Sequence, residues 1–167
     1  MKLEIKDNSE ELKERLQSME RLGKVKVKVG LPASAGAHLR FILAIQEHGA
    51  PVMRIPSRRV VGPALENEPT REKMAEAMAD ALRAAWDGDP DGAQGALEEA
   101  GQAGADGIRK YIDAGVSPAN SPVTVSGGWI WTRIAKKGVF VAGKGFNKPL
   151  YDTGELYNAF GYEITEE

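Results

Sequence analysis

Residues 24–30 read Lys-Val-Lys-Val-Lys-Val-Gly, and no other stretch limits the fold as tightly. Strict alternation puts Val25, Val27 and Val29 on one face of an extended strand and the three lysines on the other. Such a strand buries one face and solvates the other, so it needs a strand partner and a core on one side only. The lysines also discourage stray pairing along an edge. Ahead of it, Leu3 and Ile5 alternate with charged neighbours as a short strand at residues 2–6. Asn8 then offers an N-cap, with Glu11 three residues on as a capping box requires. Leu12, Leu16, Met19 and Leu22 form one stripe of a helix that Gly23 stops. The chain therefore opens β-α-β.

Periodicity changes repeatedly beyond this point. Residues 31–37 are a loop of small residues. Residues 38–48 read as a short helix with Leu39, Ile42, Leu43 and Ile45 inward and Gly49 as its stop. Pro51, Pro56 and Pro63 make 50–63 an extended, stiffened arm. A long helix reaches Trp86, with Met74, Ala77, Met78, Ala81, Leu82 and Ala85 as its apolar face. After an Asp/Gly/Pro break, a helix over 92–114 carries Leu97, Gly101, Gly104, Ile108, Tyr111 and Ile112 at helical spacing. Glycine inside a helix costs about 1 kcal/mol relative to alanine, so close helix–helix approach is the expected compensation. A loop over 116–128 leads to a hairpin at 129–142, and Phe160, Tyr162 and Ile164 alternate as a final strand. The expected class is α+β: a largely antiparallel sheet packed with two to four helices, a projecting β-hairpin and an extended proline-containing arm. At 167 residues this is one domain, 1–167, with the hairpin as an insertion at about 125–147.

Composition narrows the chemistry. With no cysteine, disulfides, thiolate zinc sites, iron–sulfur clusters and a cysteine nucleophile are excluded. No apolar run approaches the roughly 20 residues of a membrane span, and the N-terminus has acids where a signal peptide needs an apolar stretch. A soluble, unexported chain is expected. The formal charge of -2 hides strong segregation. Residues 1–63 hold 12 basic and 7 acidic side chains, 64–114 hold 5 and 12, and 115–167 hold 5 and 5. Sorted charge of this kind suits head-to-tail contacts between copies, a basic patch on a polyanion, or ordinary solvated faces.

Several constellations bear on function. Asp87, Asp89, Asp91, Gly92 and Glu98 match the spacing of a calcium loop, the alternative function for this chain. Against it, Gly95 stands where an aliphatic residue usually bridges to a second loop, and Pro90 stiffens the segment. The competing reading is a polar connection with Asp91 as N-cap. Glu47 and His48 would form an acid/base pair, or His48 simply meets a helix C-terminus. No nucleophile or orienting partner is assignable, so no enzyme, catalytic residue, metal or cofactor is expected. Asp152 reads as a cap for the turn that follows. In the arm, Arg54, Ile55, Pro56, Arg58 and Arg59 are subunit-interface candidates, the arginines meeting carboxylates of 64–114 in the same or a neighbouring subunit. Trp129 and Trp131 share one face of a strand, which fits core or interface anchor equally. Arg133, Lys136, Lys137, Lys144 and Lys148 fall in a stretch without acids and are candidates to face DNA through phosphates alone.

Five segments carry a family resemblance. Ala44–Ala50 includes Glu47, His48 and Gly49; Ile55–Arg58 is followed by Gly62–Leu65. Pro118–Thr124 includes Asn120 and Thr124, and Lys148–Leu156 includes Pro149, Leu150, Asp152, Thr153, Gly154 and Leu156. With the strand Val27–Pro32 and the helix positions Ala96, Leu97, Gly101, Ile108, Arg109 and Ile112, they run in order over most of the chain. In this the sequence resembles the tail-completion or neck (head–tail joining) proteins of long-tailed bacteriophages, the HK97-type minor tail component family. Two features depart from that pattern: Arg59-Val60 stands where Pro-Phe is favoured, and 125–147 is longer than the usual link. The resemblance implies a structural virion protein, assembled in the host cytoplasm and placed at the neck. It implies a homo-oligomeric ring, a hexamer favoured over a dodecamer, that meets other neck, connector and tail proteins. DNA would pass through it with non-specific contact at most, and no membrane is involved. The motif residues named above would then be structural.

Overall fold

The lysine–valine strand finds its partner at the far end of the chain. In a computed structural model, which describes residues 9–132 and 136–166, β1 (Val25–Gly30) pairs antiparallel with β4 (Gly161–Glu166). Val27 faces Ile164 and Val29 faces Tyr162, so the two alternating patterns meet in register. The valines are half-buried while Lys26 and Lys28 are exposed. The strand read at 2–6, the cap at Asn8 and the side chain of Arg133 lie outside the described residues.

Contacts sort the chain into two units. The first holds described residues 9–30, 65–107 and 161–166. Besides β1 and β4 it contains α1 (Ser9–Leu22), α4 (Glu68–Trp86) and most of α5 (Pro90–Ala114). Helix α1 packs along α4. The glycines of α5 are explained by space. A Cβ on Gly101 would collide with the ring of Tyr162 on β4, one on Gly104 would lie 2.9 Å from Val29 on β1, and one on Gly107 would collide with Thr70 of α4. The close approach is thus to the strand pair as well as to a helix. Around it Ala77, Ala81, Ala85, Ala93, Leu97, Ala100 and Ala105 are buried.

The second unit holds 31–64 and 108–160. It contains a 3₁₀ turn (Ala33–Ala35), α2 (Gly36–His48), a second 3₁₀ turn (Pro51–Met53) and most of α3 (Val61–Glu66). It also contains the end of α5, α6 (Pro122–Ser126), β2 (Gly128–Thr132), β3 (Lys137–Val141) and α7 (Glu155–Ala159). Helix α2 packs on α7, α6 packs on β2, and β2 pairs antiparallel with β3. Val60, Ala64, Ile108, Ile112, Val116, Leu156 and Phe160 are buried. Arg109 donates to the Phe160 carbonyl, fixing the chain just before β4.

The protein is α+β with antiparallel pairing, as expected, but helix dominates and the strands form two separate pairs. Seven α-helices are present among the described residues, three of them only five or six residues long. The arm at 50–63 is not extended throughout. Ala50 and Ile55 bridge across the second 3₁₀ turn, and Val61 begins α3 with Pro63 in its first turn, where the missing N–H has no helical acceptor anyway. The helix expected after residue 63 is interrupted at Asn67, because Pro69 starts α4 afresh. In the loop over 116–128, Ser121 accepts from the Thr124 N–H and caps the short α6. No helix among the described residues is long and apolar enough to cross a membrane.

Since the Tyr162 ring occupies the space a methyl group would take, Gly101→Ala is expected to destabilise the fold by about 1–3 kcal/mol despite alanine's better helix propensity. Urea denaturation measures it. Gly95, which has open space at its Cβ on the same helix, is expected to gain stability on the same substitution.

Candidate functional site

The segments that carry the family resemblance converge on one polar network in the second unit. Helix α2 ends at His48, and Gly49 turns the chain with φ 74°. A Cβ there would lie 2.8 Å from the Ser57 nitrogen, so glycine is required for conformation and for space. The arm then folds back along the helix end. Ser57 Oγ donates to the Glu47 carbonyl at 2.6 Å, and the Arg58 N–H donates to the Gln46 carbonyl at 2.5 Å. Glu47 Oε1 accepts from the N–H groups of Val60 and Val61, each at 2.8 Å, which caps α3.

Arg58 is the centre of this network. Its side chain is buried, with 7% of the residue exposed, and its three nitrogens all donate. Nε reaches the Pro118 carbonyl at 2.7 Å, Nη2 the Ala119 carbonyl at 3.0 Å, and Nη1 the Gln46 Oε1 at 3.1 Å. Burial pulls the guanidinium's pKa downward, and the three oxygens supply the solvation it has lost. The next residues continue the chain of bonds: Asn147 Oδ1 accepts from the Asn120 N–H at 3.0 Å. Lys144 Nζ donates to the carbonyls of Lys148 and Tyr151 at 2.7 and 2.5 Å and lies over the Phe146 ring. Burial, with help from the Arg58 charge, lowers its pKa against an opposing pull from Asp152. Lys148 Nζ binds Asp113 Oδ1 at 2.6 Å, and the Tyr157 hydroxyl donates to Asp113 Oδ2 at 2.8 Å. Asp113 therefore links the end of α5, the 143–151 loop and α7.

This geometry corrects several sequence readings. Arg58 is turned inward onto carbonyls and is not available to carboxylates of a neighbour. Arg54, Pro56 and Arg59 remain exposed and Ile55 is half-exposed. Lys144 and Lys148 are occupied within the chain and do not present free charge to DNA; Lys136 and Lys137 are exposed at the hairpin turn, while Arg133 lies outside the described residues. Glu47 is a helix cap, His48 is exposed at the end of α2, and Asp152 is exposed. Thr153 Oγ1, not Asp152, receives the Glu155 N–H. Gly154 is the left-handed N-cap of α7, Leu150 has φ 63°, Pro149 and Leu156 are buried, and Thr124 is exposed beside Ser121. The calcium spacing is not an open loop: Asp89 accepts from the Gly92 N–H and caps α5, so Asp91 and Glu98 are helical. Among the described residues no group of three or more His, Cys, Asp or Glu side chains is placed to hold a metal.

The hairpin belongs to the same unit and packs against α6. Trp129, Trp131 and Phe140 lie on one face, 74%, 71% and 59% exposed, so the tryptophans are not core. Trp129 and Phe140 are paired across the strands in an edge-to-face contact with centroids 5.8 Å apart. Val139 and Val141 point to the more covered side.

Gln46, Asp113, Asn147 and Tyr157 were not foreseen from sequence. Asp113 carried a signal: an acid in the last turn of a helix opposes the macrodipole and calls for a cationic partner. Asn147 and Gln46 carried none.

Two outcomes follow for this network. Arg58→Met removes all three hydrogen bonds that tie Gln46, Pro118 and Ala119 to the buried guanidinium and is expected to cost about 3 kcal/mol in denaturant unfolding, with Arg58→Lys losing less. Asp113 is held below the usual carboxylate range by its hydrogen bonds from Lys148 and then Tyr157. A depressed folded-state pKa stabilises above the ordinary carboxylate pKa of about 3.9 and is lost as pH falls through the folded value. Asp113→Asn is therefore expected to lower stability at neutral pH and to converge with the parent in acid, as read from melting temperature against pH.

Compared with family models, curated proteins and solved structures, the chain finds no match in any of the three.

Proposed function

We propose that the protein is a structural subunit of the neck of a long-tailed bacteriophage particle. Copies form a ring that joins the head connector to the tail and leaves a passage for DNA. The observation that carries this reading is the convergence of Ala44–Ala50, Ile55–Arg58, Pro118–Thr124 and Lys148–Leu156. Ala44–Ala50, Ile55–Arg58 and Pro118–Thr124 are hydrogen-bonded to one another, and Lys148–Leu156 is tied in through Lys144, Asn147 and Asp113, as expected for a motif that maintains a scaffold. Glu47, the one carboxylate with a candidate catalytic neighbour, is held by two backbone N–H groups, a role that preserves shape.

The second support is the exposed aromatic face of Trp129, Trp131 and Phe140. Aromatic residues held out from a rigid support are the composition of interface hot spots. In this reading the hairpin makes contacts in the assembled junction, and any contact with DNA is through phosphates at Lys136 and Lys137 near its turn. The particle is built in the host cytoplasm and the protein stays in the virion.

The test is a phage in which this gene is silenced. Filled heads and free tails that fail to join, rescued by the gene in trans, are expected in electron micrographs. Normal joined particles without the protein would overturn the reading.

A further inference from the structure

Helix α4 carries its apolar residues in an unusual order. Ala77, Ala81 and Ala85 are buried, whereas Met78, Leu82 and Trp86, each one position on, are exposed. From residue 77 onward small residues face the interior and large ones face outward, whereas Met74, earlier on the helix, packs against Gly104 of α5. Helix α1 packs along α4 and adds exposed Leu12 and Leu16 at i, i+4 spacing. Between the two helices lies a shallow cavity of about 330 Å³, lined by Met19, Leu82, Arg83, Trp86 and Asp87. It is larger than one tryptophan side chain. Arg83 is paired with Asp80, while Asp87 has no ion pair among the described residues.

We infer that the aromatic face of the β2–β3 hairpin of one copy docks into the α1–α4 groove of a second copy. This rests on the reading of the chain as a ring subunit and names the surfaces that would build the ring. Trp129 and Trp131 supply exposed indoles, of which the cavity has volume for one, and residues 128–132 are paired one for one with 137–141, so little entropy is lost on docking. Charge agrees with shape. The hairpin turn carries exposed Lys136; in the groove Arg83 is matched by Asp80, and Arg15, over the Trp86 ring, by Glu11, which leaves the Asp87 carboxylate as the unmatched charge among the described residues. Because donor and acceptor are different surfaces of one chain, the contact is heterologous and repeats from copy to copy, closing into a ring when the rotation allows. Nucleic acid is a poorer occupant for the hairpin, since Lys144 and Lys148 are held by Tyr151 and Asp113.

Native mass spectrometry of the full chain at high micromolar concentration tests this. The parent is expected to form oligomers. Trp131→Ser (hairpin) and Leu82→Glu (groove), both at exposed positions, are each expected to abolish them with unchanged circular dichroism. Mixing the two variants restores one good interface, from the intact hairpin of the Leu82→Glu copy to the intact groove of the Trp131→Ser copy, and one-to-one pairs are expected. A monomeric parent, a mixture that stays monomeric, or loss of oligomers from the hairpin variant alone overturns the docking. So does a Leu82→Glu variant that melts earlier while its oligomers persist. Loss of binding to a labelled oligonucleotide by Trp131→Ser, with oligomers intact, overturns it in favour of nucleic acid. A chain present at the neck of particles but indifferent to both substitutions would sink this docking and leave the neck reading standing.

Discussion

The second unit depends on the solvation of one buried cation. Arg58 cannot shed its charge, so burial requires that oxygen atoms replace water around its fork. They come from Gln46, 12 residues away, and from Pro118 and Ala119, about 60 residues away. A lysine would offer a point charge; the planar guanidinium instead fixes the direction of each acceptor and so the path of both loops. With the 117–120 segment placed, Asn120 meets Asn147, and the 143–151 loop is fixed in turn by Lys144 and Lys148. The hairpin springs from between these two loops. Its position is therefore inherited from an arginine that never touches it.

The sequence was most legible where a side-chain period reports a face. The alternation at 24–30 did become a half-buried strand, and the alternation at Phe160, Tyr162 and Ile164 became its partner. The hairpin and α5 followed their patterns closely. Interruptions were read less well: two short helices, α3 and α6, are each shorter than two helical turns and leave too few residues for a period to register. The destination of Arg58 was illegible for a deeper reason. Its acceptors are mostly backbone carbonyls, which every residue has and no residue type announces. An arginine in a proline-rich arm reads as a surface group seeking carboxylates, and only the fold reveals that main-chain oxygens take their place. Lys144 was misread in the same way and from the same cause.

The glycines of α5 show how a cost in one term supports another. Each forfeits helix propensity, yet Gly101, Gly104 and Gly107 let Tyr162, Val29 and Thr70 approach the helix backbone. Alanines on α4 are buried in the same unit. An interior of such small residues gives close packing but leaves the larger apolar side chains of α4 little room inward, which is why Met78, Leu82 and Trp86 meet solvent.

That displacement bears on the proposed docking. A monomer selected only for its own stability would keep its largest apolar groups inside, because their burial contributes most per residue. Here Trp86, Leu82, Trp129, Trp131 and Phe140 are exposed while alanine fills much of the interior. The two exposed groups belong to different units, differ in shape, and carry opposite neighbouring charge. Self-complementary patches would favour a closed pair, whereas two unlike patches favour a repeating contact. In the proposed docking the formal charge of -2 is the sum of two unlike faces that would meet across the contact.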